Sequence, residues 1–183
     1  MFKLLTKLEK KFPLYREPVE PHPQRAAVLV VLYEKGNKDR LLLTRRSQKM
    51  HNHAGEVCFP GGVFQEKDGN LLKTALRETE EEIHIQVHES MVIARLPMVY
   101  TLTGYEVTPF VAKVEGVSKF KLNWDEVEAV FEAPLYALLA TEQSDPGSNG
   151  SAPKPVFCYK QDRIWGATAA ILKEIAKLHA ISS

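Results

Sequence analysis

The chain has 183 residues, 44% of them hydrophobic, and 24 Lys and Arg against 23 Asp and Glu give a formal net charge of +1. That profile suits one globular domain with a sizeable core, and the scattered charge lacks the basic stripe of a dedicated nucleic-acid binder. No apolar run approaches the ~20 residues needed to cross a bilayer, and two cysteines, Cys58 and Cys158, are too few for a disulfide framework.

The N-terminal stretch MFKLLTKLEKKFPLY spaces Phe2, Leu5, Leu8 and Phe12 as a helix would. It lacks the long apolar core of a secretory signal, so a short amphipathic helix on a cytoplasmic protein is expected. With the Pro-rich link REPVEPHPQ it makes up residues 1–24. RAAVLVVLYE is apolar and β-branched like a buried strand, GNKD turns the chain, and RLLLTRR returns, so Arg25 to Arg46 predicts a hairpin. EVCF is a short strand leading into Pro60-Gly61-Gly62. From Leu71 to Ile83 the period becomes helical, with Leu72, Leu76, Thr79 and Ile83 on one face.

MVIARLPMVYT and YEVTPFVAKV predict two further strands joined at LTG. NWDEVEAVFEAPLYALLA begins on a cap-like Asn123, continues as a strand and ends as a helix after Pro134. TEQSDPGSNGSAPKP, residues 141–155, is expected to be a mobile surface loop within a single domain over 1–183. VFCY and RIW read as strands, with Phe157 and Trp165 expected in the core, and GATAAILKEIAKLHA as a closing helix. Strands interleaved with a few helices predict an α/β fold, a mixed sheet with helices on its faces.

The acids of the central helix carry the chemistry. At about 100° per residue, Glu78, Glu81 and Glu82 share an arc of roughly 100° beside the packing face, while Glu80 points elsewhere. Like charges so placed repel. Gly61 and Gly62 allow a close backbone approach, so main-chain groups can face the same spot as the carboxylates. Oxygen donors without His or Cys select a hard cation, Mg²⁺ or Mn²⁺, commonly shared with substrate phosphates. Arg77 precedes Glu81 by four residues and can pair with it. Arg46 and Lys49 could hold phosphate groups, although Arg45 and Lys49 fit a solvated edge equally well. Asn123 and Glu126 resemble a capping box, which leaves Glu126 either a cap or a candidate base. His51 and His53 lack the further ligands a zinc site needs.

The stretch GGVFQEKDGNLLKTALRETEEEIHI resembles the Nudix box, GX5EX7REUXEEXGU, with Arg77, Glu78, Glu81 and Glu82 in the REUXEE core. Asp68 takes the first acidic position, the run to Arg77 is one residue longer, Thr79 stands for U, and His84 replaces the last glycine. Directly before it, LLTRRSQKMHNHAGEVCFPGG is similar to the motif LLTXR(S/A)X3RX3GX3FPGG of coenzyme A pyrophosphatase-like Nudix hydrolases. It matches at Leu42, Leu43, Thr44, Arg46, Ser47, Gly55, Phe59, Pro60, Gly61 and Gly62, with His51 in place of the second arginine.

The resemblance implies a Nudix-like α/β/α sandwich and Mg²⁺- or Mn²⁺-dependent cleavage of the pyrophosphate of coenzyme A or acyl-CoA. The products would be 3′,5′-ADP and 4′-phosphopantetheine or its acyl form. It implies Glu78 and Glu82 as principal metal ligands with the Gly61 carbonyl nearby. Glu81 would hold a second metal or accept a proton, with Glu126 the other candidate base. Substrate contacts fall to Arg46, Lys49, His51 and Gly62. Two alternatives stand: a Nudix hydrolase of another nucleotide derivative such as ADP-ribose or a dinucleotide, and a catalytically silent nucleotide sensor. The intact Arg77-Glu78-Glu81-Glu82 set argues against the sensor. A small-molecule partner is expected, with neither nucleic acid nor membrane; a homodimer is left open.

Overall fold

The structure is a computed structural model and describes residues 2–14, 24–50, 52–117, 119–146 and 152–180, without the side chain of Phe2. The link around 15–23 and the expectation for His51 lie outside these residues. In chain order the elements are α1 (Phe2–Lys11), β1 (Arg25–Lys35), β2 (Lys38–Arg46), β3 (Val57–Cys58), β4 (Gly61–Val63) and α2 (Leu71–Ile83). There follow β5 (Val92–Arg95), β6 (Val99–Tyr100), β7 (Glu106–Val114), β8 (Val127–Pro134), α3 (Leu135–Leu139), β9 (Gln143–Asp145), β10 (Lys154–Tyr159), β11 (Asp162–Ile164) and α4 (Gly166–Ala180).

The larger sheet runs β3-β2-β1-β7-β5, with β4 also on β1, β6 on β7 and β8 on β2. β1 and β7 are parallel and the other pairs antiparallel, so the sheet is mixed. β9, β10 and β11 form a second, three-stranded sheet. The β1–β2 turn is only Gly36-Asn37, both at positive φ (59° and 56°), the backbone of a two-residue hairpin turn.

The middle of β1, Ala26 to Leu32, is apolar on both faces, and both are covered. Val30 and Leu32 join Leu41 and Leu43 in a core closed by Leu4, Leu5 and Leu8 of α1, by α3 and by α4. Leu29, Val31 and Tyr33 join Leu42 in a second core closed by Leu71, Leu72, Ala75 and Ile83 of α2. The layers are therefore helix, sheet, helix, as an α/β/α sandwich requires.

Three expectations are corrected. MVIARLPMVYT is split into β5 and β6 around Leu96-Pro97-Met98, where Pro97 has no N–H for a ladder. Residues 143–145 and 154–155 of the expected loop, with Val156 just beyond it, pair as β9 and β10; a short polar edge strand has no apolar alternation to mark it. Trp165 is 41% exposed because it falls between β11 and α4, whereas Phe157 is fully buried. No helix among the described residues is long and apolar enough to cross a membrane.

Candidate active site

The site begins with two glycines laid flat on β1. Gly61 pairs with Val28 and Gly62 with Ala27, and the Leu29 amide donates to the Pro60 carbonyl at 2.9 Å. Gly61 sits at φ 152°, where a Cβ would lie 2.3 Å from the Ala27 carbonyl oxygen. At Gly62 a Cβ would lie 2.5 Å from the Glu78 carboxylate. Neither position has room for a side chain as the neighbours stand, so the backbone of β4 lies directly against α2.

Helix α2 starts at Asn70, whose Oδ1 accepts from the Lys73 amide at 2.9 Å. It ends at His84, which takes the left-handed conformation (φ 54°) that glycine usually supplies. Its acids are not equivalent. Glu82 is 2% exposed and accepts from the Gly61 amide at 3.3 Å. Glu78 is largely covered by Gly62, whereas the Glu81 side chain is 49% exposed. Glu82, placed by the helical period beside the packing face, is thus buried because β4 packs across it.

Burial pushes the Glu82 carboxyl up to about 8; the positive charge of Arg46 and the Gly61 amide oppose the shift, while Glu78 and Glu126 add to it. Glu78 is also raised, first by burial, with Arg77 pulling it back and Glu81 and Glu126 pushing the same way as burial. Oxygen-only donors held in this state fit a hard divalent cation, which would offset the shared negative charge. Glu78 and Glu82 could hold it, with Glu81 and Glu126 flanking. Gly61 meets Glu82 through its amide. Among the described residues no three Asp, Glu, His or Cys form a ready-made metal cage.

Arg77 organises the helix face. Its Nε donates to Asp68 Oδ1 at 2.7 Å, and its guanidinium reaches Glu78 at 2.6 Å and Glu81 at 2.8 Å. Asp68 is 5% exposed and also accepts from Thr74 Oγ1 (2.8 Å) and the Gln65 amide (3.1 Å). Burial alone would raise its carboxyl, but the hydrogen bonds from Arg77, Thr74 and Gln65 hold it below the usual carboxylate range. The sequence motif places Asp68 in the box without indicating this buried role; the signal for it is an acid nine residues before Arg77.

Glu126 faces Glu78 and Glu82 electrostatically. The expected helix cap is corrected: the chain turns at Asn123 and enters β8, and Asn123 Nδ2 donates to Glu126 Oε1 at 3.1 Å. Arg46, at the end of β2, acts on both Glu82 and the Cys58 thiol, and its Nε is buried without a hydrogen-bond partner among the described residues. Cys58, an ordinary strand thiol by its sequence context, is pushed up to about 11 by burial and then by Glu82.

Lys49 is exposed and paired with Asp125 at 2.8 Å. Arg45 turns away from the acids, bonded to Asp162 at 2.6 Å and lying over the Phe131 ring. His53 is a loop residue bonded to Glu56 at 3.0 Å. The structure therefore gathers Gly61, Gly62, Glu78, Glu82, Glu126 and Arg46, keeps Glu81 and Arg77 on the rim, and places Lys49 beside the 123–126 turn.

A buried glutamate and a largely covered one against a Gly-Gly strand, braced by arginine on a mixed α/β/α sandwich, define a Nudix-type site. The NUDIX domain family model matches residues 23–148. The Uncharacterized Nudix hydrolase NudL of Pectobacterium atrosepticum is 35% identical over 176 residues, covering 94% of this chain and 91% of that protein. The chain belongs to the Nudix hydrolase family and is an enzyme of the pyrophosphatase type. Among solved structures, a MutT/nudix family protein from Enterococcus faecalis superimposes with a TM-score of 0.61 at 14% identity, over 92% of this chain and 65% of that longer one. The NUDIX domain of Shewanella oneidensis NrtR, solved with ADP ribose, gives 0.54 at 20% identity, over 66% and 79%. At such identities the likeness is one of fold.

Proposed function

We propose that this enzyme hydrolyses the pyrophosphate bond of coenzyme A or acyl-CoA, giving 3′,5′-ADP and 4′-phosphopantetheine or its acyl form. The observation that carries the reading is the place of the LLTRRS…FPGG segment. Its Arg46 borders the buried Glu82, and its glycines form the floor under Glu78 and Glu82. A bound Mg²⁺ or Mn²⁺ would neutralise phosphate charge and lower the pKa of a water. Glu82 and Glu78 would hold the cation. Arg77 keeps Glu78 and Glu81 in place, and Arg46 with Lys49 meets the substrate's phosphates.

Between the two candidate bases, Glu81 is engaged by Arg77 and half open to solvent, whereas Glu126 interacts electrostatically with both Glu78 and Glu82. The geometry favours Glu126 as the acceptor of the water's proton. A second reading, hydrolysis of another nucleoside diphosphate derivative, draws on His51, which stands where the motif has arginine.

A substrate panel with Mg²⁺ and Mn²⁺, products identified by mass, tests both. Coenzyme A should exceed ADP-ribose and diadenosine polyphosphates in kcat/KM by at least ~10-fold, the value of one well-placed phosphate contact. The reverse preference would overturn the assignment, and no turnover of any member would restore the sensor reading.

A further inference from the structure

The turn carrying Glu126 is tied to the site from several directions. The Asn123 amide donates to the Glu82 carbonyl at 2.9 Å and the Lys121 amide to the Ile83 carbonyl at 3.3 Å. His84 Nδ1 donates to the Lys121 carbonyl at 2.8 Å, so the imidazole that replaces the box glycine is itself a tie. From the other side, the Ser47 amide donates to the Glu126 carbonyl at 2.9 Å. The turn is thus stitched to α2 and to the end of β2.

Asn123 uses every polar atom it has. Its carbonyl accepts from the amides of Glu126 (3.0 Å) and Val127 (2.8 Å), which shapes the turn. Its Oδ1 accepts from the Asp125 amide at 3.3 Å, an Asx-type closure. Its Nδ2 donates to the Glu126 carboxylate at 3.1 Å. That carboxylate faces Glu78 and Glu82, both of which repel it. Unheld, a glutamate with free rotamers would turn toward water.

We propose that Asn123 is a positioning residue that holds the Glu126 carboxylate at the acidic face against the repulsion of Glu78 and Glu82. The proposal rests on the reading of Glu126 as proton acceptor. An amide side chain suits this role because it is neutral, gives a donor to the carboxylate, and retains an acceptor for the turn. Aspartate, the same size, would keep the acceptor and turn the donor into a third repelling charge.

The test is a mutant cycle of Asn123→Ala and Glu126→Gln, with hydrogen exchange on the substrate-free, metal-free protein. Asn123→Ala should lower kcat by ~10-fold or more, part of the ~10²–10⁴ of a lost general base, with KM within about two-fold. Added to Glu126→Gln it should cost nothing further. Exchange at the Ser47 and Val127 amides should quicken while β1 and β7 stay protected. Should Asn123→Ala fold poorly, Asn123→Asp preserves the shape and should lose at least as much kcat. If the two losses multiply, Asn123 acts elsewhere and the proposal falls. If Glu126→Gln lowers kcat and neither Asn123 variant does, the positioning role falls while the base assignment stands. If Glu126→Gln leaves kcat intact, the base assignment falls first and takes the positioning role with it.

Discussion

Replacing Glu82 by Gln separates the electrostatic cost of the site from its chemistry. The carboxyl rises from its ordinary 4.5 to about 8 on folding, chiefly through burial. The folded value lies above the unfolded one, so the folded chain binds this proton more tightly. The stability it contributes is fully present below about 4.5 and is lost as pH rises through about 8. Fully ionised, the buried carboxylate costs about 5 kcal/mol, at ~1.4 kcal/mol per pH unit between the two values. Glutamine never carries that charge, and the bond from the Gly61 amide to the carboxylate is already contained in the folded value.

Metal-free Glu82→Gln should therefore be more stable than wild type by about 5 kcal/mol near pH 9, a melting point roughly 10–20 °C higher. The gain should disappear by about pH 4, where both side chains are neutral. Mg²⁺ should raise the wild-type melting point near pH 9 and leave the variant unchanged. Turnover of the variant should fall by ~10²-fold or more. Circular dichroism melts across this pH range, with EDTA or Mg²⁺, measure the first two effects. A variant that melts below wild type near pH 9 without metal would refute the burial argument. One that keeps wild-type turnover at saturating Mg²⁺ would refute the ligand assignment.

The glycines give a contrasting pair. Gly62→Ala meets only the movable Glu78 carboxylate, so turnover should drop ~10-fold or more with little change in denaturant midpoint. Gly61→Ala meets backbone of β1 at positive φ and should cost about 2–4 kcal/mol in urea unfolding. Asp68→Asn weakens the buried hold on Arg77 and should cost about 2–3 kcal/mol near neutral pH. Because the folded Asp68 carboxyl lies below its unfolded value, its contribution is present above the unfolded value and lost as pH falls through the folded one. The gap between Asp68→Asn and wild type should therefore close on acidification; a gap that widens would count against the Arg77 pair.

Helix α2 was legible from the sequence to its end residues, because a 3.6-residue period acts within a few residues of chain. The same holds for the β1–β2 hairpin, and for the Arg77-Glu78-Glu81-Glu82 set, whose spacing on one helix needs no partner to be read. What lies across an element is a different matter. Burial of Glu82 comes from β4 packing on α2, and the role of Asp68 from the path that returns it to Arg77. The pairing of polar β9 with β10, and the exposure of Trp165, likewise depend on contacts between distant segments. Sequence alone thus determined which acids could act, since that is a property of local spacing. Only the tertiary structure decided which is buried, which is paired with arginine and which is held by Asn123, because desolvation and hydrogen-bond partners are set by residues far apart in the chain.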